Sequence, residues 1–250
     1  MVDGPTPGNR LLAALPEGDW ERLRPRFREV ELPLGRVLAE PGEVFREMYF
    51  PVSGVVSSVA VFASGAAVEV ATVGPEGVVG VGAALGSDTA VGRYLVQVPG
   101  AALVVRHDAF ERLLREVPAF RRVLLAYAQA FLVQVMQSAA CNGVHSVEER
   151  AARWLLMCQD RAGRDSFPLT QEFLGELLGA SRAAVSLAAR ALRRAGLIRY
   201  SHGVLTVEDR AGLEEIACEC YGLVRRQYEE RLARVREPDG AGDRPEHRPR

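Results

Sequence analysis

The chain contains no lysine, so all 31 of its basic residues are arginine, set against 32 acidic residues in 250. The formal net charge of −1 argues against a protein that coats nucleic acid nonspecifically. Cysteine is scarce, with four residues, which excludes the disulfide framework of a small secreted domain. Gln129 and Gln134 interrupt the most apolar segment, so we expect no membrane span. Residues 1–9 lack the basic start and apolar stretch of a secretory signal, which predicts a cytoplasmic protein.

Charge is unevenly distributed along the chain. Residues 1–117 contain 11 Arg against 15 acidic residues, whereas residues 177–207 contain five Arg and no acidic residue. A mildly acidic body with one short basic stretch suits a protein that places a single element on DNA.

The N-terminal half has the composition and spacing of short strands. β-branched runs at Val55–Phe62, Val68–Val73 and Tyr94–Val98 alternate with glycines, which predicts an antiparallel sandwich or barrel. Leu11–Phe27 predicts one or two short helices before it. With helices following, the fold class is α+β.

Beyond residue 107 the apolar period becomes helical. We expect a short helix at Asp108–Glu116 and a long one from Ala119 to about Asn142. Apolar and small residues recur every three or four positions along the long helix, as in a coiled coil. They predict a homodimer seam at Leu124, Tyr127, Phe131, Gln134, Ser138 and Cys141. The alternative is an ordinary buried core helix.

A capping box marks the next helix. Ser146 can cap the first turn while Glu149 returns to the Ser146 backbone, which predicts a helix at Val147–Asp160. Gly143 and Val144 would then form a hinge. We expect residues 211–236 to form one C-terminal helix and residues 237–250, rich in proline and glycine, to be disordered.

Residues 169–207 carry the pattern of a winged helix-turn-helix. Thr170 is a good N-cap, and Gly179 can adopt the positive φ of a tight turn between helices. Ser181 then caps a second helix. The wing would follow as Leu197–Tyr200, a turn at residues 201–203, and Val204–Val207.

The second helix has the chemistry of a DNA reader. Arg182, one residue past the cap, can bond a guanine edge bidentately. Arg193 and Arg194 lie further along and favour backbone phosphates. The predicted DNA-contacting residues are Thr170, Gln171, Ser181, Arg182, Ala184, Val185, Ser186, Arg190, Ser201 and His202. A helical hairpin with a solvated arginine face is the alternative.

These features together resemble the Crp/Fnr (cAMP receptor protein-like) regulators. The resemblance rests on Pro41-Gly42-Glu43, Tyr49-Phe50, Ser53-Gly54, Gly74–Gly80, Thr170-Gln171-Glu172, Leu178-Gly179, Ser181-Arg182 and Ala195-Gly196-Leu197-Ile198. It implies an N-terminal β-roll sensor (residues 10–117), a dimerisation helix (118–143) and a C-terminal winged helix-turn-helix (146–210).

The chain also departs from the resemblance at the effector site. Cyclic-nucleotide-binding members carry a Gly-Glu pair for the ribose and a later Arg-Ser pair for the phosphate. Here Val81 follows Gly80, so the acidic residue for the ribose is absent, and Arg93 is only a candidate for an offset phosphate ligand. These departures predict a sensor that does not respond to cAMP. The second helix of the helix-turn-helix also departs from the family pattern. Its first residues read Ser181-Arg182-Ala183, where the family usually has Ser-Arg-Glu. Leu187 lies where the family often has a second base-reading arginine.

The remaining reactive side chains suggest no enzyme, metal or cofactor. An iron–sulfur cluster in this family uses N-terminal cysteines, and none precedes Cys141. If Cys218 and Cys220 share a helix over Arg210–Tyr221, they project about 200° apart and cannot easily share a metal. We expect all four cysteines, including Cys141 and Cys158, to be structural, with a redox switch as the alternative.

The sequence therefore predicts a homodimeric, sequence-specific DNA-binding transcription regulator. Its expected partners are double-stranded DNA, a second copy of the chain, an unidentified small-molecule effector and, as a candidate, RNA polymerase, with no membrane. The alternative is a module that binds a cyclic nucleotide or another small molecule and signals through protein contacts.

Overall fold

The computed structural model describes residues 7–236. The α-helices are α1 (Glu17–Leu23), α2 (His107–Glu116), α3 (Pro118–Val144), α4 (Val147–Ala162), α5 (Gln171–Leu178), α6 (Arg182–Arg194), α7 (Arg210–Ile216) and α8 (Cys220–Arg236). The strands are β1 (Arg28–Leu32), β2 (Val37–Ala39), β3 (Glu47–Pro51), β4 (Val55–Val61), β5 (Ala67–Val73), β6 (Arg93–Val98), β7 (Gly100–Arg106), β8 (Ser166–Pro168), β9 (Ile198–Ser201) and β10 (Val204–Val207). The tail expected to be disordered, residues 237–250, lies outside the described part.

The N-terminal strands form two antiparallel sheets, as the sequence predicts. One has the order β1-β7-β3 and the other β2-β6-β4-β5. Gly54 makes the turn into β4 with a φ of 82°, where a Cβ would lie 2.5 Å from the Val98 carbonyl oxygen. Only glycine fits a turn with both that φ and that close approach. The α+β class and the β-roll are confirmed.

Aromatic side chains join the roll to the helices that follow it. Phe50 of β3 packs against Phe110 of α2 and Phe120 of α3, with ring centroids 6.5 and 6.2 Å apart. All three rings are almost fully buried. Burying three phenylalanines stabilises this junction by several kcal/mol, about 1.5–3 kcal/mol for each ring, and fixes where α3 leaves the roll.

The long helix α3 is buried on the face predicted to form the dimer seam. Leu124, Tyr127, Gln134 and Cys141 are at most 1% exposed within the single chain, and Ser138 is also buried. Only Phe131 of the predicted seam is partly exposed. The seam prediction is therefore wrong, because α8 of the same chain and the roll cover this face.

A different stripe of α3 is exposed. Leu125, Leu132 and Met136 are 37%, 56% and 63% exposed, and Leu125 and Leu132 lie one heptad apart. This stripe is rotated by about one residue from the predicted seam. Periodicity did not separate the two stripes, because both faces of the helix are apolar.

By length and composition α3 could cross a membrane, contrary to the expectation from the sequence. Its packing favours a core helix of a globular protein instead. The Gln134 side chain, in the second half of α3, is fully buried and donates to the Thr72 carbonyl oxygen of β5 at 3.1 Å.

The C-terminal half contains the helices and wing predicted from the sequence, with two differences. The capping box of Ser146 and Glu149 is present, but α3 continues through Gly143 and Val144, so the break falls at His145–Ser146. Residues 211–236 do not form one helix. The chain ends α7 at Ile216 and begins α8 at Cys220, because residues 217–219 leave the helical conformation.

Candidate nucleic-acid interface

Two capped helices and a glycine turn form the helix-turn-helix. The Thr170 hydroxyl accepts from the Phe173 backbone N–H at 3.1 Å, and the Ser181 hydroxyl accepts from Ala184 N–H at 3.2 Å. Gly179 turns the chain between α5 and α6 with a φ of 57°. Each hydroxyl keeps its own hydrogen, so Thr170 and Ser181 can still donate to a phosphate oxygen.

Helix α6 divides into an inner and an outer face. The inner face packs into the C-terminal core with the buried residues Val185, Ala188, Ala189 and Leu192. The outer face presents Ser181, Arg182 and Arg190, which are all exposed. Ala184 and Ser186 lie at the boundary and are half-buried.

Val185 does not belong to the contact surface. Its side chain is 1% exposed and packs in the C-terminal core, so it cannot meet a base edge. Its prediction as a DNA contact is therefore wrong, because a residue on the inner face of α6 is covered by the core. For Gln171 the structure describes the backbone at the start of α5 but not the side chain.

The outer face of α6 is positively charged. Arg190, Arg193 and Arg194 are exposed, and α6 contains no acidic residue. In the wing, by contrast, Arg199 pairs with Glu208 at 2.5 Å. A shallow cleft on this face is lined by Ser186, Ala189, Arg190, Arg193 and Tyr200. The exposed guanidinium groups can attract phosphates while the N-terminal residues of α6 remain accessible to base edges.

The wing is a small antiparallel sheet with a tight tip. Its strand order is β8-β10-β9, and β9 and β10 meet at a turn in which His202 and Gly203 have φ values of 50° and 77°. Consecutive positive φ values are typical of a two-residue hairpin turn. Ser201 and His202 are exposed there, with the hydroxyl 3.0 Å from Nδ1 of the imidazole.

The reader is attached to the roll through polar groups that are buried or half-buried. Trp154 of α4 donates from its indole nitrogen to Glu69 of β5 at 2.9 Å, and Ser57 donates to the same carboxylate. Burial raises the pKa of Glu69 to about 7, even though both hydrogen bonds act in the opposite direction. Gly179 in the turn of the reader lies against Val68 of the same strand.

A second buried network joins four parts of the molecule. Arg161 of α4 donates to Glu76 of the roll at 2.7 Å and to Gln134 of α3 at 3.1 Å. The Tyr228 hydroxyl of α8 donates to the same Gln134 oxygen at 2.9 Å. Because all four groups are buried, movement of one element breaks bonds made by the others.

An apolar cleft lies between the roll and α3. Its volume is about 420 Å³, and Val81 and Leu85 of a short 3-10 helix form one wall. Phe131 and Leu132 of α3 form another part of the lining. Such a lining favours an apolar ligand and offers little to a phosphate.

Arg93 does not join Val81 in this cleft. Its Nε lies 3.0 Å from both oxygens of Glu40, and among the described residues it is not part of the cleft lining. The two predicted effector residues are therefore not brought together. A phosphate would have to compete with the Glu40 carboxylate for Arg93.

Sequence patterns did not reveal the groups that couple the two halves. Glu69 and Arg161 belong to no motif, and Glu76 lies in the Gly74–Gly80 turn but was assigned no role there. Their partners become apparent only once the strands and α4 are brought together. A cluster of Cys141, His145 and two further cysteines was also missed, because residues 210–221 were expected to form one helix. No glycine or proline among residues 217–219 signals the break.

Comparison with known families identifies both halves. A model of the cyclic nucleotide-binding domain matches residues 29–117, and a model of the Crp-like helix-turn-helix domain matches residues 149–216. Together they cover more than half of the chain. A comparison with curated proteins finds no match.

Solved structures share the whole arrangement. FixK2 from Bradyrhizobium japonicum is 19% identical, with a TM-score of 0.65, and the match covers 77% of this chain and 98% of that one. The c-di-GMP-responsive regulator CLP from Xanthomonas campestris is 16% identical, with a TM-score of 0.63 over 78% of this chain and 100% of CLP. A Crp/Fnr-family regulator from Thermus thermophilus is 22% identical, with a TM-score of 0.60 over 76% and 98%. At these identities the similarity establishes the fold.

Proposed function

Because this chain belongs to the Crp/Fnr family of DNA-binding transcription regulators, we propose that it reads a specific operator through α6 and that its β-roll controls this binding. The observation that carries the proposal is the exposed, basic outer face of α6. Ser181 and Arg182 stand at its first turn, and Arg190 lies two turns further on the same side. Residues at the N-terminus of such a helix read base edges, and basic residues further along the helix bind backbone phosphates.

The proposed DNA-binding unit is a homodimer. Paired half-sites about 34 Å apart require two readers held at a fixed distance. Leu125, Leu132 and Met136 supply an exposed apolar stripe on the 27-residue helix α3. A second copy of α3 packed on this stripe would bury it without displacing α8, whose Tyr228 packs against Tyr127 on the buried face.

The proposed effector is an apolar molecule rather than cAMP. The ribose of a cyclic nucleotide needs an acceptor and its phosphate a fixed cation, whereas Val81 offers methyl groups and Arg93 is paired with Glu40. Burying a phosphate without partners costs several kcal/mol. That cost changes micromolar affinity to millimolar or weaker. Calorimetric titration with cAMP and cGMP tests this part, and micromolar binding of either nucleotide would refute it.

Selection of bound fragments from the host genome is the experiment for the operator. The full-length protein should enrich fragments with a two-fold symmetric sequence whose half-sites are about one helical turn apart. The matched control is Arg182→Ala, which should enrich fragments with lower preference at one position in each half-site. Enrichment of DNA with no shared sequence would contradict the proposed function.

A further inference from the structure

Three cysteines and one histidine meet where the long helix ends. Cys141 lies in the last turn of α3 and His145 directly follows the helix, while Cys218 and Cys220 lie at the break between α7 and α8. The four ligand atoms all lie within 4.8 Å of one another. The Sγ atoms of Cys141 and Cys218 are 3.6 Å apart, and Cys220 Sγ is 3.6 Å from His145 Nδ1.

Cys218 and Cys220 can share a metal because the chain is not helical at residues 217–219. On a continuous helix these two side chains would point to opposite sides. The break instead brings both thiols to Cys141 and His145 at the end of α3. The expectation that Cys218 and Cys220 share one helix, and so point in opposite directions, is therefore wrong.

The burial pattern of the thiols is unusual for apolar packing. Cys141, Cys218 and Cys220 are at most 4% exposed, yet they form a cluster of their own, separate from both hydrophobic cores. Cys158 shows the ordinary pattern, since it packs among leucines and a tryptophan of the C-terminal core. Grouping the other three thiols away from aliphatic side chains brings little hydrophobic stabilisation.

We propose that Cys141, His145, Cys218 and Cys220 bind one zinc ion in a tetrahedral Cys₃His site. With Zn–S bonds of about 2.3 Å, the sulfurs of such a site lie about 3.8 Å apart, close to the separation of Cys141 and Cys218. An iron–sulfur cluster places several iron and sulfide atoms between its ligands and so needs them further apart. Calcium and magnesium prefer oxygen ligands, which this set does not offer.

The surroundings supply the second layer of contacts that zinc sites use. With Nδ1 turned to the metal, the other imidazole nitrogen of His145 lies 3.2 Å from the Glu219 carboxylate. A carboxylate in that position fixes the tautomer and the ring orientation. Gln137 donates to Cys220 Sγ at 3.0 Å, as outer amides do for a thiolate. Arg150 and Arg153 line the small cavity that Cys141 also lines. Their positive charges can offset the net charge of −1 of a Zn²⁺ ion bound by three thiolates.

The metal would join the end of the sensor helix to the segment that follows the wing. Binding at the α7–α8 junction would fix the start of α8, and so hold Tyr228 against Gln134 along α3. Because metal binding to a folded site adds directly to folding free energy, the metal would stabilise this contact. The site does not depend on the proposed DNA-binding function, and its test can fail or succeed independently.

The test uses the full-length protein, purified under reducing conditions and freed of metal, and then titrated with Co²⁺. We expect one Co²⁺ per chain, with the visible bands of tetrahedral cobalt and sulfur-to-cobalt charge-transfer bands. Stoichiometric Zn²⁺ should abolish both sets of bands. The double variant Cys218→Ser, Cys220→Ser should lose them, whereas Cys158→Ser should keep them.

Variants at exposed positions keep the test valid if the double variant misfolds. Glu219 is 77% exposed, and Glu219→Ala should bind Zn²⁺ about 10-fold more weakly. Glu215→Ala, on the exposed side of α7, should bind as the wild type does. The proposal is overturned by a reduced chain that gives no tetrahedral thiolate bands or that forms an iron–sulfur chromophore. It is also overturned if the Cys218, Cys220 double variant retains the bands.

Discussion

The Arg161 guanidinium donates to the Glu76 carboxylate at 2.7 Å, and both side chains are 7% exposed. The pair connects α4, in the DNA-binding half, with the turn that follows β5 of the roll. Two charges so far from water are stable only while each has the other as a partner. The relative position of roll and reader therefore depends on this pair.

Loss of one partner should destabilise the protein strongly. Arg161→Met leaves the Glu76 carboxylate buried and without its guanidinium, which should lower the free energy of unfolding by about 3–5 kcal/mol. Arg161→Met combined with Glu76→Leu should recover most of that loss, since no charge is then buried. Urea unfolding gives the comparison. The control Arg199→Met breaks an exposed pair and should cost less than about 1 kcal/mol.

Glu69 should make stability depend on pH near neutrality. Its pKa rises from the ordinary 4.5 to about 7 in the folded state, chiefly through burial, while Arg153 and Arg161 oppose the rise. The folded state therefore holds the proton more tightly. Glu69 therefore makes its full contribution to the free energy of unfolding below pH 4.5, and this contribution is lost as the pH rises through about 7.

The measurement is the free energy of unfolding of the wild type and of Glu69→Gln across that pH range. Glutamine keeps an acceptor for Trp154 but cannot ionise. The wild type should lose stability relative to the variant as the pH rises. A constant difference between the two proteins would mean that Glu69 does not titrate in this window.

The exposed stripe of α3 should control assembly. Leu132→Glu places a charge on the proposed dimer interface, so sedimentation should show a shift toward monomer and operator binding should weaken. Leu34→Glu is the matched control, because Leu34 is 54% exposed in the turn between β1 and β2 and should leave the dimer unchanged. A Leu132→Glu protein that remains dimeric would exclude this stripe.

Local patterns predicted the elements well because local physics determines them. The Ser146 capping box, the Thr170 and Ser181 caps and the Gly179 turn each involve residues within four positions of one another. The strands of the roll were also predicted, because β-branched runs separated by glycines can be recognised in the sequence. The winged helix-turn-helix followed from these features together.

Long-range pairing was less predictable. Both faces of α3 are apolar, so periodicity alone could not tell which face α8 covers, and the predicted seam falls on the buried face. Val185 was expected among the DNA contacts although its spacing from Leu192 already placed it inside. The approach of Cys218 to Cys141 depends on a three-residue break that no strong local signal marks.

The most direct test of DNA reading by α6 compares Arg182→Ala with Arg193→Ala in operator binding at several salt concentrations. Arg182→Ala should weaken operator binding by about 1–3 kcal/mol and relax preference at one position per half-site. Arg193→Ala should weaken all sequences alike and reduce the salt slope by about 1. If Arg182→Ala changes neither affinity nor preference, α6 is not the reader and the proposed function is contradicted.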